Sequence, residues 1–120
     1  LCVAYAKSRK QCGKPIGKFQ SVANRLVDMK VRMETARLIL YKVAWMKNTG
    51  NKATMDAAIA KLYVSEAWVK SCLDAVQIHG GYGFTTEFEI ERDLRDSVAT
   101  ILYSGTSEIQ KNIIARFMGL

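Results

Sequence analysis

Residues 102–110 read LYSGTSEIQ, which sets three aliphatic hydroxyls, a glycine and a carboxylate between two apolar stretches of helical spacing. Val98, Ile101 and Leu102 precede the segment, and Ile109, Ile113, Ile114 and Phe117 follow it, at intervals that suit one helix face. Ser107 and Gln110 have the spacing of a capping box, so a new helix is expected to begin near Thr106. A helix start exposes unpaired amide N–H groups and the positive end of a dipole, and both attract oxygen-rich or electron-rich ligands. Ser104, Gly105, Thr106 and Glu108 therefore form either a simple joint or a binding turn, and spacing alone leaves both open.

Other residues able to do chemistry are sparse. His79 is the only histidine, which excludes any metal or nucleophilic centre built on several histidines. It stands one place before Gly80 and is expected to meet the dipole at a helix C-terminus, with a role as a lone base still open. The run Gly80-Gly81-Tyr82-Gly83 lacks the preceding strand that a phosphate-cradling dinucleotide loop requires. Glu66 falls between Leu62 and Val69 on an apolar stripe, where a partly buried carboxylate calls for a structural ion pair with a lysine or arginine. Cys2, Cys12 and Cys72 are odd in number and lack a Cys-x-x-Cys spacing. No disulfide framework or zinc site is expected, and reduced thiols fit an intracellular compartment.

The 120 residues make one domain's worth of chain, with 49% hydrophobic and 24% charged residues, ordinary values for a soluble globular protein. The net charge of +7 would favour an acidic partner, but the basic residues alternate with acidic and apolar ones, as on an exposed helix face. No finger, RRM or recognition-helix pattern accompanies the charge, so nucleic-acid binding is not expected. No apolar run approaches the ~20 residues needed to span a bilayer, and the N-terminus lacks a signal-peptide layout.

The elements that must position these residues are helices. Phe19, Val22, Leu26, Met29, Met33, Ala36, Leu40 and Val43 follow one another in steps of three and four, which predicts one long helix ending near Asn48–Asn51. Thr54 is expected to cap a second long helix with two apolar stripes, one through Ile59, Leu62, Val69, Leu73 and Val76, the other through Ala60, Val64, Trp68, Cys72 and Ala75. Two stripes require neighbours on two sides. Glycines 80, 81 and 83 stop that helix. Thr86 and Glu89 are expected to box the start of a third, and the fourth follows Thr106. Residues 1 to about 11 read as the tail of a further helix, truncated at its start and turned by Gly13, Pro15 and Gly17. The expected fold is all-α, an antiparallel four-helix bundle over residues 1–120, without a long period-2 strand.

Three stretches give the pattern a family likeness: YAKSRKQCGKPIGKFQ at 5–20, DAVQIHGGYGFTTEFEIERDLRDSVATILYSGTSEIQ at 74–110, and the long helices joining them. Together they resemble the C-terminal helical domain of the flavin-dependent acyl-CoA dehydrogenases over essentially the whole chain. The resemblance implies that an N-terminal helical domain and a middle β-barrel belong to the parent protein. It implies FAD as cofactor of that parent, an acyl-CoA substrate dehydrogenated at its α and β carbons, an electron-accepting flavoprotein as partner, and a homo-oligomer. The 120 residues alone are expected to be inactive and free of FAD. A cytoplasmic location is implied for a bacterial source and a mitochondrial matrix location for a eukaryotic one.

The resemblance also assigns positions. Arg9 would reach the diphosphate and adenosine side of a flavin held mainly by a neighbouring subunit, with Gln11, Cys12 and Gln20 close by; many relatives have Phe where Cys12 stands. Gln77, Gly80 and Gly81 would meet the ADP portion across a subunit interface. Thr106 and Glu108 would contact the cofactor at the flavin ring, and Tyr103, Ser104 and Gly105 would lie beside the thioester. Many relatives carry the catalytic Glu where Ser104 stands, and a serine without a partner base cannot accept the α-proton. Three readings stay open: a base on the preceding helix upstream of Leu1, a non-catalytic or mixed assembly, or Glu108 itself. The rival from another class is a free-standing helical interaction module with basic faces.

Overall fold

The computed structural model describes residues 1–120 and is elongated, 56 × 25 × 24 Å. Helix α1 (Cys2–Ser8) leads into two strands of two residues each, β1 (Lys10–Gln11) and β2 (Lys14–Pro15), and a single 3₁₀ turn at Ile16–Lys18. Then come α2 (Gln20–Asn48), α3 (Thr54–His79), the one-turn α4 (Gly81–Phe84), α5 (Ile90–Thr100) and α6 (Ser107–Met118). The all-α class is as expected, and α3 is its axis: α2, α5 and α6 all pack on it.

The predicted ends of the two long helices hold. Gly50, at φ 75°, turns the chain after α2, and Gly80, at φ 60°, turns it after α3, conformations that glycine adopts without a Cβ penalty. The first segment differs from expectation. Helix α1 stops at Ser8, and β1 pairs antiparallel with β2 in the register Lys10↔Pro15 and Gln11↔Lys14. Cys12 and Gly13 form the two-residue connection with φ 49° and 75°, the paired positive φ of a type I′ hairpin turn.

Three predicted caps are not used. Ala53, not Thr54, is the N-cap of α3, and Glu89 caps α5 with no side-chain hydrogen bond, so the Thr86–Glu89 box does not form. At α6 the cap is Thr106, whose hydroxyl accepts from the Ile109 amide at 3.3 Å. The helix begins one residue earlier than the Ser107–Gln110 box requires. Ser107 Oγ is left buried without a partner, and Gln110 turns to other acceptors. Glu66 is also placed differently: its side chain is 51% exposed, 4.0 Å from the Lys111 ammonium. The ion pair expected for it is present, but not the burial.

The core is small and built from small side chains. Ala58, Ala60, Cys72, Ala75 and Ile78 are buried on α3, whereas Trp68 and Leu73 are 43% and 54% exposed. The apolar stripe of α2 (Leu26, Met29, Met33, Ala36, Leu40) and one stripe of α3 (Val64, Trp68, Cys72, Ala75) line opposite walls of one groove of about 720 Å³. The α2 stripe and the second of the two α3 stripes therefore face this groove, the Ile59–Val76 stripe does not, and α2 has no fully buried residue. Between the walls Asp74 ties α3 to α2 through two arginines. Arg25 Nη1 donates to its Oδ1 at 2.6 Å, and Arg32 Nη2 donates to Oδ2.

Candidate functional site

At the C-terminal end of α3 four aromatic rings lock the chain to α1. Tyr5 stacks on His79 with centroids 4.1 Å apart, and Phe88 meets both rings at 5.6 and 5.5 Å. Tyr82 lies 5.7 Å from Phe88 on its other side. The Tyr5 hydroxyl donates to the His79 carbonyl at 3.4 Å, which satisfies an acceptor orphaned at the helix end. His79 is 4% exposed, and its Nδ1 lies 2.8 Å from the Ala75 carbonyl. Only an Nδ1–H can donate there, so this nitrogen serves the helix and holds the ring in place. The helix-end role expected for His79 is the one observed.

This lock frames a cavity of about 520 Å³ whose lining includes Arg9, Gln11, Gln77, Gly80, Gly81 and Tyr82. Five positions that the resemblance assigned to the cofactor thus meet in one place with His79, brought there by the hairpin and the end of α3. Arg9 is exposed and its guanidinium stands 5.5 Å over the Tyr82 ring, a cation–π contact that orients a side chain free to bind an anion. None of Lys7, Arg9, Lys10, Lys14 and Lys18 has a carboxylate within ion-pairing distance, and no acidic residue precedes Asp28. Cys12 and Gln20 lie outside the cavity, Cys12 at the exposed hairpin tip and Gln20 exposed at the start of α2.

The glycines differ in what they do. A Cβ at Gly81 would meet no atom within 4 Å, and its φ is not in the left-handed range. Neither backbone nor packing within this chain asks for glycine there, so the bare backbone leaves room for something outside it. Gly83 has the opposite reason, since a Cβ there would run into the Val76 backbone.

The turn at 103–106 is a separate place. Glu108 feels the Lys61 ammonium, and Gln77 lies 16 residues further along α3, about 24 Å at about 1.5 Å per residue. Ser104 and Gly105 have φ of 54° and 87°. The Ser104 hydroxyl makes no hydrogen bond, and Tyr103 is 57% exposed. The Glu108 carboxyl is held below the usual glutamate range, first by its own backbone amide and then by the Thr106 hydroxyl. A carboxylate kept ionised by a helix start is a weak proton acceptor, which counts against Glu108 as a base. Sequence reading missed the roles of Tyr5, Tyr82 and Phe88, and took Gln110 for a capping-box residue only. Tyr5 stands one helical turn before Arg9, and that i, i+4 spacing was the available signal.

Residues 1–119 match the family model described as acyl-CoA dehydrogenase, C-terminal domain. The chain belongs to that family. Among its curated relatives, the L-prolyl-[peptidyl-carrier protein] dehydrogenase of Serratia sp. is 48% identical over 116 residues, 97% of this chain and 30% of the relative. The crystal structure of the prolyl acyl carrier protein oxidase AnaB superimposes with a TM-score of 0.96 at 58% identity, covering 99% of this chain and 32% of that one. The FAD complex of PigA superimposes with a TM-score of 0.96 at 47% identity, covering 99% of this chain and 31% of that one. The chain thus spans about three tenths of the length of the curated relatives it matches. No helix is long and apolar enough to cross a membrane, and no cluster of metal-ligating side chains is present.

Proposed function

We propose that the chain is the C-terminal helical part of an FAD-dependent dehydrogenase acting on a carboxylic thioester, and that it supplies two separate walls of the site. The observation that carries this reading is the cavity that gathers Arg9, Gln11, Gln77, Gly80 and Gly81. Its chemistry fits the diphosphate end of a dinucleotide: a guanidinium that no carboxylate pairs, although Glu87 also lines the cavity, side-chain amides, and bare glycine backbone open to the outside. When bound, the flavin would take up the β-hydrogen as hydride while a base removes the α-proton. The second wall is the 103–106 turn, beside the reacting carbons.

The separation of the two walls along α3 supports a shared site, in which a complete pocket takes one wall from each of two copies. The apolar groove and the exposed Trp45, Trp68 and Leu73 supply surface for contacts with neighbouring domains or copies. Glu108, the carboxylate at this turn, is held in its ionised form, which favours a base supplied from outside these 120 residues. Thioester chemistry is common to substrates carried on coenzyme A and on a carrier protein, and the similarity to the prolyl carrier-protein dehydrogenase favours the latter.

The full-length protein decides the reading. It should purify yellow, and its flavin should bleach on adding a prolyl carrier-protein thioester, with a short-chain acyl-CoA as the competing substrate. A colourless protein that takes up no added FAD would overturn the proposal in favour of a helical interaction module. Ser104→Glu should raise turnover by less than about threefold if the base is already present, whereas a gain of about 100-fold would place the missing base at this turn.

A further inference from the structure

Ser104 and Gly105 are consecutive left-handed residues, at φ 54° and 87°, and the side chain that holds them is Gln110. It is 6% exposed in the first turn of α6. From there its Nε2 donates back to the carbonyl oxygens of Ser104 and Gly105, at 3.3 and 3.2 Å. Gln110 in this position leaves no room for a side chain at residue 105, since a Cβ at Gly105 would stand 2.7 Å from Gln110 Nε2.

In a trans peptide the C=O and the following N–H point to opposite sides. Drawing both carbonyls onto Gln110 therefore turns the amides of Gly105 and Thr106 away from it. Neither these amides nor that of Ser104 donates to any acceptor in the chain. Successive free N–H groups at such a turn make a concave donor set suited to an electron-rich oxygen.

We propose that Gln110 is a positioning residue that aims the Gly105 and Thr106 amides at a carbonyl oxygen of the bound ligands, in the thioester or the flavin. The proposal rests on the reading that this turn lines the reacting end of the site. Gln110 does not touch the ligand, because its donors are used inside the turn.

The test uses the FAD-loaded full-length protein. Gln110→Leu should lower kcat by about tenfold or more while KM and flavin content stay within about threefold, the pattern of lost transition-state donors. Gln110→Glu keeps the shape but repels both carbonyls when ionised, and donates to one when protonated. Burial at this position beside two carbonyl oxygens raises that carboxyl above the ordinary value of about 4.3, so kcat relative to wild type should rise as pH falls from about 8 to about 5 with flavin content unchanged, which a packing role would not produce. A flavin-retaining Gln110→Leu within about twofold of wild-type kcat overturns the proposal, as does a Gln110→Glu ratio that ignores pH. If Gln110→Leu fails to fold, the Gln110→Glu pH ratio decides. If the wild type oxidises no thioester, the functional reading fails by itself. A crystal structure of Gln110→Leu then judges the clamp, which is upheld if the two peptides rotate and overturned if they keep their orientation.

Discussion

A Cβ built on Gly83 stands 2.7 Å from the carbonyl oxygen of Val76, so α4 folds back against the last turns of α3 at a spacing only glycine permits. Gly83→Ala should cost about 1–3 kcal/mol, the range for overpacking against backbone that cannot yield. Gly81→Ala, two residues away in open space, should leave Tm within about 2 °C, since surface changes without a special feature stay within about ±0.5 kcal/mol. In the full-length protein the order should invert: Gly81→Ala weakens FAD retention although it leaves the fold intact. Thermal unfolding and flavin content measure the two effects separately.

Two carboxylates tie α3 to α2: Asp56 through Lys42, and Asp74 through both Arg25 and Arg32. The Arg32 and Asp74 side chains are only 12% and 14% exposed, and Arg32 Nη1 already lacks a partner. Asp74→Asn should therefore cost about 2–3 kcal/mol, below the ~3–5 kcal/mol of a fully buried pair because water still reaches both groups. Lys30→Ala, which removes an exposed pair with Glu34, should cost about 0.5 kcal/mol or less. Chemical unfolding of the two variants provides the comparison.

Arg9→Ala should lower FAD affinity of the full-length protein by about tenfold or more, the value of a hydrogen bond to a charged group. Arg9→Lys should recover little of it. A point ammonium lacks the planar fork that meets a diphosphate, and it stacks less well on Tyr82. Fluorescence titration with FAD at two salt concentrations checks this, and the deficit should shrink as salt rises.

Glu108 contributes stability that depends on pH. Its folded pKa lies below the unfolded value of about 4.3, because its own amide and the Thr106 hydroxyl favour the ionised form. The contribution is therefore fully present above about pH 4.3 and is lost as pH falls through the depressed folded value. Glu108→Gln should lower Tm near pH 7, and the difference should vanish as pH falls below the depressed folded value. A constant difference across that range would count against the helix-start carboxylate.

Residue spacing by itself determined the helical class, the limits of α2 and α3, and the glycine stops after them. Those features follow from local backbone preferences that repeat every three to four residues. The motif likeness named Arg9, Gln11, Gln77, Gly80 and Gly81, but only folding put them around one cavity, because they lie on a hairpin and a helix end joined by the Tyr5–His79 stack. The caps escaped the sequence for a similar reason. Ser107 and Gln110 have the right types for a box and the helix starts where expected, yet Thr106 takes the N-cap and Gln110 holds the turn at Ser104 and Gly105 instead. Side-chain types state which hydrogen bonds are possible, and the backbone path, set by contacts distant in sequence, decides which of them are made.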